Sequence, residues 1–200
     1  MTQLEQPKRI FVLNGHPAER SLSKHLAETY AKAAAEREYE VRVMNIRDIE
    51  FDSDFGFGGY RQTKPLEPDL ETLLANLEWS RHLVLVTPMW WGGVPAKLKG
   101  LFDRVLLPGR TFDTRKKKGG FPTPMLSGRT ARVILTSDTF DWYFKWVYRR
   151  ALWIQLKHQI LGFVGFKPAM LTHFATASHP KDGLVEQWAE QVRSLGYKGR

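Results

Sequence analysis

Hydroxyl and imidazole side chains are concentrated in the segment 14–23, next to the predicted start of a helix. His16 supplies a ring nitrogen, and Ser21 and Ser23 supply hydroxyls on either side of Leu22. The free amides and the positive macrodipole end at a helix start suit a phosphate dianion, and each such contact contributes ~1–3 kcal/mol. A second interpretation is that Ser21 only caps the helix and that His16 is a turn residue.

Flat apolar side chains are concentrated in a second segment, Met-Trp-Trp-Gly-Gly at 89–93. It follows an apolar run at 83–86 and precedes Pro95, a residue that the first turn of a helix tolerates. We therefore expect the backbone amides of residues 90–93 to be free and to face the same ligand as the two indoles. Such a loop suits a planar heterocycle with polar edges; the alternative is a turn whose tryptophans cover the core.

A third segment, Thr-Ser-Asp-Thr at 136–139, adds hydroxyls and amides after a predicted strand. Neither dedicated nucleotide motif is present, because the sequence has no G-x-x-x-x-G-K-[ST], and Gly-Phe-Gly-Gly at 56–59 lacks the third glycine and the strand-to-helix context of a dinucleotide loop. A phosphate held by hydroxyls and amides beside a flat aromatic pocket points away from nucleotide hydrolysis and towards a flavin.

The elements that must position these segments are five short apolar runs that alternate with helical patterns. The predicted strands are 10–13, 41–46, 83–86, 133–135 and 169–171, and the predicted helices are 22–33, 70–79, 94–105, 142–161 and 184–195. Segments 52–68 and 108–128 are predicted to be irregular loops. Five strands joined through helices require right-handed crossovers, so we expect a mostly parallel sheet covered on both faces.

The predicted fold brings the three polar or aromatic segments together. It is a single three-layer α/β domain over residues 1–200 with the strand order 2-1-3-4-5. In that order ligands bind beyond the carboxyl ends of the strands, where the first and third strands adjoin. The segments 14–23 and 87–93 follow those two strands, and 136–139 should lie beside them.

Composition limits the class of protein. At 200 residues, 42% of them hydrophobic, the chain fits one domain with a full core and is not disordered. It contains no cysteine, which excludes disulfide scaffolds and cysteine nucleophiles, and the six histidines lack the paired spacing of metal ligands, so no metal is expected. No apolar run has the length of a membrane span, and the first ten residues lack the apolar core of a signal peptide, so we expect a cytoplasmic protein. The net charge of +9 favours anionic partners, but charge alone is no reason to expect nucleic acid among them.

Three stretches resemble one known family. They are Gly-His with the two serines in 15–23, PMWWGGVPAKLKGLFDRV at 88–105, and the path through LGFVGF at 161–166 into the last predicted strand. Together they are similar to the flavodoxin-like NAD(P)H:quinone oxidoreductases, the DT-diaphorase group. The resemblance spans nearly the whole chain and implies a flavodoxin-like fold with a five-stranded parallel sheet.

The resemblance also implies which residues form a flavin site. Together with Ser21, the cofactor-binding residues would be His16, Leu22, Ser23, Pro88, Met89, Trp90, Trp91, Gly92, Thr136, Ser137, Asp138 and Thr139. Residues 89–92 would line the isoalloxazine ring, and 136–139 would approach its pyrimidine edge. Phe112 resembles an aromatic of the substrate pocket, with Phe55 and Phe57 at its rim.

Two departures from the family pattern concern the ring. Relatives usually carry paired glycines after the fourth strand, where this chain has Asp138 and Thr139. Relatives of this type also use a tyrosine and a histidine to balance charge on the reduced flavin. Tyr143 stands near the place of that catalytic tyrosine, but no histidine follows it; Arg149 or Arg150 is the candidate substitute.

The resemblance implies an enzyme that transfers hydride from NAD(P)H through bound FMN to a quinone or a similar flat acceptor. FAD is the alternative cofactor, although the shortness of the chain favours FMN, and the choice between NADH and NADPH stays open. Two other functions stay open: a flavodoxin-type electron carrier, which the basic charge disfavours, and an ancillary subunit of a potassium-efflux transporter, with peripheral membrane association.

The cationic run at 115–118 is interpreted as a solvated loop, with attraction of the NADPH 2′-phosphate or of an acidic surface as the alternative. Seven aromatic residues between 140 and 153 predict a face buried in a homodimer, with a thick aromatic core as the alternative.

Overall fold

Strands and helices alternate over the residues that the structure, a computed structural model, describes, which are 8–54, 56 and 64–200. The strands are β1 (Arg9–Asn14), β2 (Glu40–Asn45), β3 (His82–Pro88), β4 (Phe112–Lys118), β5 (Phe121–Pro124), β6 (Arg129–Thr136) and β7 (Phe166–Phe174). The helices are α1 (Leu22–Ala35), α2 (Pro68–Trp79), α3 (Ala96–Val105), α4 (Asp141–Trp146), α5 (Ala151–Ile154), α6 (Gly162–Val164) and α7 (Leu184–Tyr197). A 3₁₀ turn occupies Ile46–Asp48, and a π-helix occupies Gln155–Leu161.

The main sheet has five parallel strands in the order β2-β1-β3-β6-β7. Counted within that sheet, this is the predicted order 2-1-3-4-5, which the structure confirms together with the flavodoxin-like fold. The carboxyl ends are nearly level, because Asn14 lies opposite Val86 and Thr136 lies opposite both Pro88 and Phe174. The loops that leave β1, β3 and β6 therefore start at one edge of the sheet.

Two apolar layers bury the two faces of the sheet. Phe11 and Leu13 of β1 pack into the layer beneath α2 and α3, while Ile10 and Val12 pack into the layer beneath α1 and α7. Successive side chains of a strand point to opposite faces, so a strand buried on both sides is apolar at nearly every position. All seven residues of β3 are buried for this reason, and β3 forms the centre of the sheet.

The segment predicted as the loop 108–128 contains an antiparallel hairpin of β4 and β5, so that prediction was wrong. Lys118 pairs with Phe121 across Gly119 and Gly120, whose φ angles are +60° and +85°. Two positive φ angles in a row make the two-residue turn that matches the twist of a hairpin, and glycine adopts them without steric cost. The Gly-Gly pair was the available signal, and the charged run before it obscured the strand.

The stretch 142–161, predicted as one helix, is also different in the structure. Helix α4 ends at Trp146, and Arg149 and Arg150 have φ angles of +49° and +53°, outside the helical region. The chain then resumes as α5 and continues as the π-helix, a wider winding that short segments adopt. The aromatic residues of this stretch are therefore divided between α4, α5 and the segments that flank them.

A buried arginine fixes the segment before α2 to α3. The Arg104 side chain is 1% exposed and makes two hydrogen bonds of 3.0 and 2.9 Å to the Glu67 carboxylate. It also donates to the backbone carbonyls of Asp52 and Pro65. Because a planar guanidinium satisfies all these acceptors at once, the two ends of the segment 52–67 are held against α3.

Candidate functional site

A cavity of about 230 Å³ opens beyond the carboxyl ends of β1, β3 and β6. We call it the hydroxyl cavity, after the side chains that dominate its wall. Its lining residues are His16, Arg20, Ser21, Leu22, Ser23, Pro88, Met89, Trp90, Thr136, Ser137, Asp138, Ala177 and Ser178. The structure thus brings together three segments that are far apart in the sequence, at the edge of the sheet where the strand order predicted a ligand.

The start of α1 presents hydrogen-bond donors to this cavity. Ser21 has extended backbone angles, and its Oγ accepts a hydrogen bond of 3.1 Å from the amide of Lys24, which is the capping role predicted for it. The amides of Leu22 and Ser23 donate to no acceptor among the described residues. Since capping uses only the lone pairs of the Ser21 oxygen, its O–H is still able to donate to an anion.

His16 lies half-buried on the rim of the hydroxyl cavity. Its Nδ1 accepts a hydrogen bond of 3.0 Å from the amide of Ala18, so the neutral ring carries its proton on Nε2. The ring meets Trp90 edge-on, with centroids 5.4 Å apart. Burial lowers the pKa of His16 below its ordinary value, so the ring is neutral near pH 7 and acts as an N–H donor.

Ser23 and Thr136 join two walls of the cavity. Ser23 is 1% exposed, and its Oγ lies 3.3 Å from the Oγ1 of Thr136. The loop after β1 also lies close to α3, because a Cβ added at Gly15 would lie 2.6 Å from the Cδ2 of Leu98. A larger residue at position 15 would have to displace the side chains of Leu98 and Thr87, so the loop after β1 lies closely against the end of β3 and α3.

A second cavity of about 520 Å³ adjoins the first. We call it the aromatic cavity; it is lined by Met89, Trp91, Gly92, Asp138, Thr139, Phe144, Tyr148, Ala151 and Leu152. Met89 and Asp138 line both cavities. One molecule with an anionic end and a flat end could therefore occupy both.

The turn at 90–93 corrects one expectation about free amides. Trp90 and Gly93 bond to each other through both amides, at 2.8 and 2.9 Å, so those two amides are not free. The central residues Trp91 and Gly92 have φ angles of +51° and +75°, and their amides donate to no described acceptor. The Trp91 side chain is fully exposed, while Trp90 is less than half exposed. Trp91 therefore does not cover the core, and it stands at the mouth of the aromatic cavity.

Asp138 occupies the wall between the two cavities. Its carboxylate accepts hydrogen bonds of 2.7 and 2.8 Å from the amide and the hydroxyl of Ser178. The backbone bond and the side-chain bond lower the pKa of Asp138, so the carboxylate is charged and already satisfied by that loop. Neither Asp138 nor Thr139 has a positive φ, so this backbone does not require the paired glycines of the relatives.

Several predicted site residues lie elsewhere. Phe112 is buried and lines a separate cavity of about 580 Å³, in edge-on contact with Phe163 at 5.0 Å. Phe55 and Phe57 fall outside the described residues. Tyr143 is not among the lining residues of the aromatic cavity; its ring packs edge-on against Tyr148, 4.9 Å away.

Sequence reasoning missed seven lining residues of the two cavities: Arg20, Ala177, Ser178, Phe144, Tyr148, Ala151 and Leu152. Arg20 directly precedes Ser21, the cap of α1, so its position at a helix start was a usable signal. Ser178 follows the last strand of the sheet, where a loop at the ligand-binding edge was expected. Tyr148 carried no signal of its own among so many neighbouring aromatics.

The residues of the two cavities fit a flavin phosphate. The unpaired amides of Leu22 and Ser23, the free O–H of Ser21 and the cation of Arg20 are donors suited to a dianion. The side chains of Met89 and Tyr148 offer apolar surface to a planar ring beside them. Among the described residues no group of three or more His, Cys, Asp or Glu side chains could hold a metal ion.

Comparisons with known proteins agree with this geometry. A family model described as "Flavodoxin-like fold" matches residues 8–195. The chain is 30% identical to ribosyldihydronicotinamide dehydrogenase (quinone) from Pongo abelii over 145 residues, which are 68% of this chain and 61% of that protein. It is 28% identical to FMN-dependent NADH:quinone oxidoreductase 2 from Idiomarina loihiensis over 142 residues, 64% of this chain and 59% of that protein. The matches thus span about three fifths of the length of these relatives.

A solved structure gives the same fold. It is the NAD(P)H:quinone oxidoreductase from Methanothermobacter marburgensis, which matches with a TM-score of 0.79 over 97% of this chain and 100% of its own. At 20% sequence identity this likeness shows the fold alone. In the part of the chain that the structure describes, no helix has the length and apolar character needed to cross a bilayer.

Proposed function

This chain belongs to the family described as having a flavodoxin-like fold, and from that premise we propose that it is a flavin-dependent oxidoreductase acting on NAD(P)H and a quinone or a similar flat acceptor. The observation that carries the proposal is the pair of adjoining cavities at the carboxyl edge of the sheet. One cavity is rich in anion donors, the other is apolar and aromatic, and Met89 and Asp138 line both. That combination matches the phosphate and the ring of one FMN molecule.

FMN is the proposed cofactor, with hydride entering from NAD(P)H and leaving to the acceptor. Bound FMN would supply the two-electron chemistry, since an isoalloxazine accepts a hydride and passes it on. The hydroxyl cavity, at about 230 Å³, suits a single ribityl phosphate, which supports FMN over FAD. The name of the Idiomarina loihiensis relative also supports FMN.

The residues of this chain bind and orient the reactants. Ser21, Arg20 and the start of α1 would hold the phosphate, and the residues of the aromatic cavity would hold the ring end. Trp91 and Tyr148 flank that cavity, where they hold a flat reactant close to the ring and exclude water. The amides of Asp138 and Thr139, which donate to no described acceptor, would stabilise negative charge on a ring held in this cavity.

A homodimer and a cytoplasmic location belong to the same proposal. Large apolar side chains are exposed on and around α4 and α5, which is unusual for a surface that faces water. They are Phe140, Trp142, Trp146, Val147, Tyr148 and Ile154. A second copy that packs on this surface would also enclose the aromatic cavity beside Tyr148.

The test is reconstitution of the purified protein with FMN. We expect one FMN per chain, a shift in the absorbance of the flavin on binding, and oxidation of NADH or NADPH that requires both FMN and a soluble naphthoquinone. An electron carrier would instead need a separate reductase to oxidise the nicotinamide. A preparation that does not take up FMN or FAD from excess would contradict the proposal.

A further inference from the structure

A third cavity, of about 630 Å³, opens beside β7, the strand at the edge of the main sheet. We call it the edge cavity. Its lining residues come from β6, β7, α4, α5 and the segment between those two helices. Pockets for small organic molecules have volumes of roughly 300–1,000 Å³, so the edge cavity has room for one.

The edge cavity is separate from the hydroxyl cavity and the aromatic cavity. The buried ring of Phe144 lines both the aromatic cavity and the edge cavity, so this ring lies between them. Among the described residues none lines both the hydroxyl cavity and the edge cavity. The closest link is between His173 of the edge cavity and Ser137 of the hydroxyl cavity, where the Nε2 lies 2.8 Å from the Oγ. A molecule in the edge cavity would therefore leave the other two cavities open.

Cations outnumber carboxylates around the edge cavity. Arg132 of β6, Lys145 of α4 and Arg150 before α5 line it. The carboxylate among the described lining residues is Asp141, which is 76% exposed, and its Oδ1 lies 2.7 Å from the Nδ1 of His173. Burial lowers the pKa of His173 by more than the hydrogen bond to Asp141 raises it, so the ring is neutral near pH 7. Three cations against one carboxylate leave the lining with a positive charge.

Arg132 is a buried cation whose hydrogen-bond acceptors are neutral. The residue is 8% exposed, and its guanidinium donates to the Oγ1 of Thr172 at 2.8 Å and to the Sδ of Met170 at 3.3 Å. Its Nε is buried and donates to no acceptor among the described residues. Burial lowers the pKa of Arg132, and no carboxylate of the described residues offsets this effect. Because a buried charge without a counter-ion is costly, this side of the cavity favours an anion.

The other two cations are held at the mouth of the cavity. The amide of Arg150 donates to the carbonyl of Phe144 at 2.8 Å, and its own carbonyl accepts from the amide of Ile154 at 2.9 Å. Lys145 directly follows Phe144 in α4. Both cations are exposed, so they are able to contact an anionic group that enters from solvent.

Apolar side chains complete the lining. Trp153 of α5 and Phe144 of α4 are buried, and residues 169–171 of β7 are at least partly apolar neighbours along the strand. An indole offers a large flat surface to an aromatic or aliphatic group. The cavity thus combines a cationic part with an apolar part, which suits one molecule that has both characters.

We propose that the edge cavity is a second ligand site, which binds a small organic anion: a carboxylate or a phosphate ester on an aromatic or aliphatic body. The anionic group would lie among Arg132, Lys145 and Arg150, and the body would pack against Trp153. Neither flavin nor nicotinamide is needed for this binding. The inference therefore goes beyond the function proposed above and does not depend on it.

Each cavity has a tryptophan of its own, which allows a bound probe to be located. Trp90 lines the hydroxyl cavity, Trp91 the aromatic cavity and Trp153 the edge cavity. The probes are 2-naphthoate, 2-naphthyl phosphate and the uncharged 2-naphthamide. In proton–nitrogen NMR spectra of the purified full chain, 2-naphthoate should shift the indole N–H signal of Trp153, which is identified with Trp153→Phe. Shifts confined to Trp90 and Trp91 would place the probe in the other cavities and overturn the proposal.

Substitution of the cations tests the charge requirement by calorimetric titration. Lys145→Gln and Arg150→Gln should each weaken binding of 2-naphthoate about five-fold, as expected for an exposed charge contact. Arg132→Gln should weaken it about ten-fold or more, because the contact is buried. Arg20→Gln, which removes the same charge from the hydroxyl cavity, is the matched control and should bind 2-naphthoate as wild type does. The exposed positions of Lys145 and Arg150 keep the test valid even if Arg132→Gln does not fold.

Comparison of the probes decides whether the site requires an anion. Tighter binding of either anion than of 2-naphthamide supports the proposal, and the tighter of the two anions identifies a carboxylate or a phosphate ester as the preferred group. Equal affinity for 2-naphthamide overturns it, as does a loss of binding in Arg20→Gln alone.

Titration in the presence of excess FMN separates this inference from the proposed function. Protein that takes up no FMN, yet binds 2-naphthoate at Trp153, would contradict the proposed function and support the edge site. Protein that takes up FMN but binds none of the three probes would overturn the edge site and leave the proposed function intact. Competition between FMN and 2-naphthoate would also overturn the edge site, because the two would then share one cavity.

Discussion

Trp91 combines a strained backbone with a fully exposed indole. Its φ of +51° lies in the left-handed region, which costs an L residue roughly 1 kcal/mol, and the side chain buries no surface that would offset this cost. Such a combination is retained at sites where a ligand supplies the missing contacts. The indole stands at the mouth of the aromatic cavity, which is where a flat reactant would stack.

Replacing Trp91 by asparagine should stabilise the protein without ligand. Asparagine tolerates the left-handed region, so we expect the free energy of unfolding in urea to rise by about 0.5–1 kcal/mol. The same variant should bind FMN or its reactants more weakly, because the flat wall is lost. Trp146→Asn, an exposed tryptophan in α4 with ordinary helical angles, should bring no such gain. Equal stability of Trp91→Asn and wild type would show that the turn is not strained.

Arg20 offers a way to test the phosphate assignment alone. Arg20→Gln should weaken FMN binding about five-fold, since an exposed charge contact contributes about 1 kcal/mol. The affinity for riboflavin, which lacks the phosphate, should not change. Arg81→Gln, at the amino end of β3 and far from the cavities, makes the same charge change and should affect neither. Equal losses for FMN and riboflavin would place the phosphate elsewhere.

At the scale of elements, the sequence predicted the order of strands and helices better than their ends. Four of the five strands of the main sheet, all but β2, are longer than their predicted runs, because residues such as His82, Thr136 and Phe174 extend the ladder through backbone hydrogen bonds that hydropathy does not signal. The hairpin and the break at Arg149 were missed for a related reason. Both depend on backbone angles, and periodicity reports side-chain burial instead.

The bond between Glu67 and Arg104 should be the most costly ion pair to break in the segment before α2. Glu67→Gln leaves the Arg104 charge buried without its carboxylate, so we expect a loss of about 3 kcal/mol in unfolding free energy at pH 7. Glu71→Gln, which removes a partner of the exposed Arg110, should cost less than about 1 kcal/mol. Thermal or urea unfolding measures both, and similar small losses would mean that Arg104 does not anchor this segment.

The loss caused by Glu67→Gln should depend on pH. Burial alone would raise the pKa of Glu67, but the hydrogen bonds from Arg104 and the backbone outweigh it and lower the pKa below its ordinary value. A carboxyl whose folded pKa is lowered contributes stability above its unfolded pKa and loses it as the pH falls through the folded pKa. The difference between wild type and variant should therefore be full at neutral pH and disappear in acid.

At the scale of the whole molecule, the exposed aromatic surface of α4 and α5 predicts self-association. Trp146→Glu should convert a dimer into a monomer in sedimentation velocity at micromolar concentration, because it places a charge on an apolar interface. Phe121→Glu, an equally exposed aromatic in the hairpin, should leave the dimer intact. A wild-type protein that sediments as a monomer would contradict the homodimer and leave this aromatic surface exposed to solvent.

The candidate site was predictable where it depends on topology and unpredictable where it depends on register. Loops after β1, β3 and β6 meet because the strand order requires it, so His16, Ser21, Met89 and Ser137 could be assigned to one place. The contact of Ser137 with His173 requires the pairing of Thr136 with Phe174, and no sequence pattern specifies that alignment.

The position of His173 has a consequence for the protein when ligands fill both the hydroxyl cavity and the aromatic cavity. Reactants that stack in the aromatic cavity would close the front of the site, whereas the Asp141 side chain, which contacts the far side of the His173 ring, is 76% exposed in the single chain. Protons would then reach His173 from solvent by a second route, through Asp141, which an inhibitor bound in the aromatic cavity does not block. Blocking the front would halt the exchange of nicotinamide for acceptor, yet leave hydrogen ions free to equilibrate with the interior.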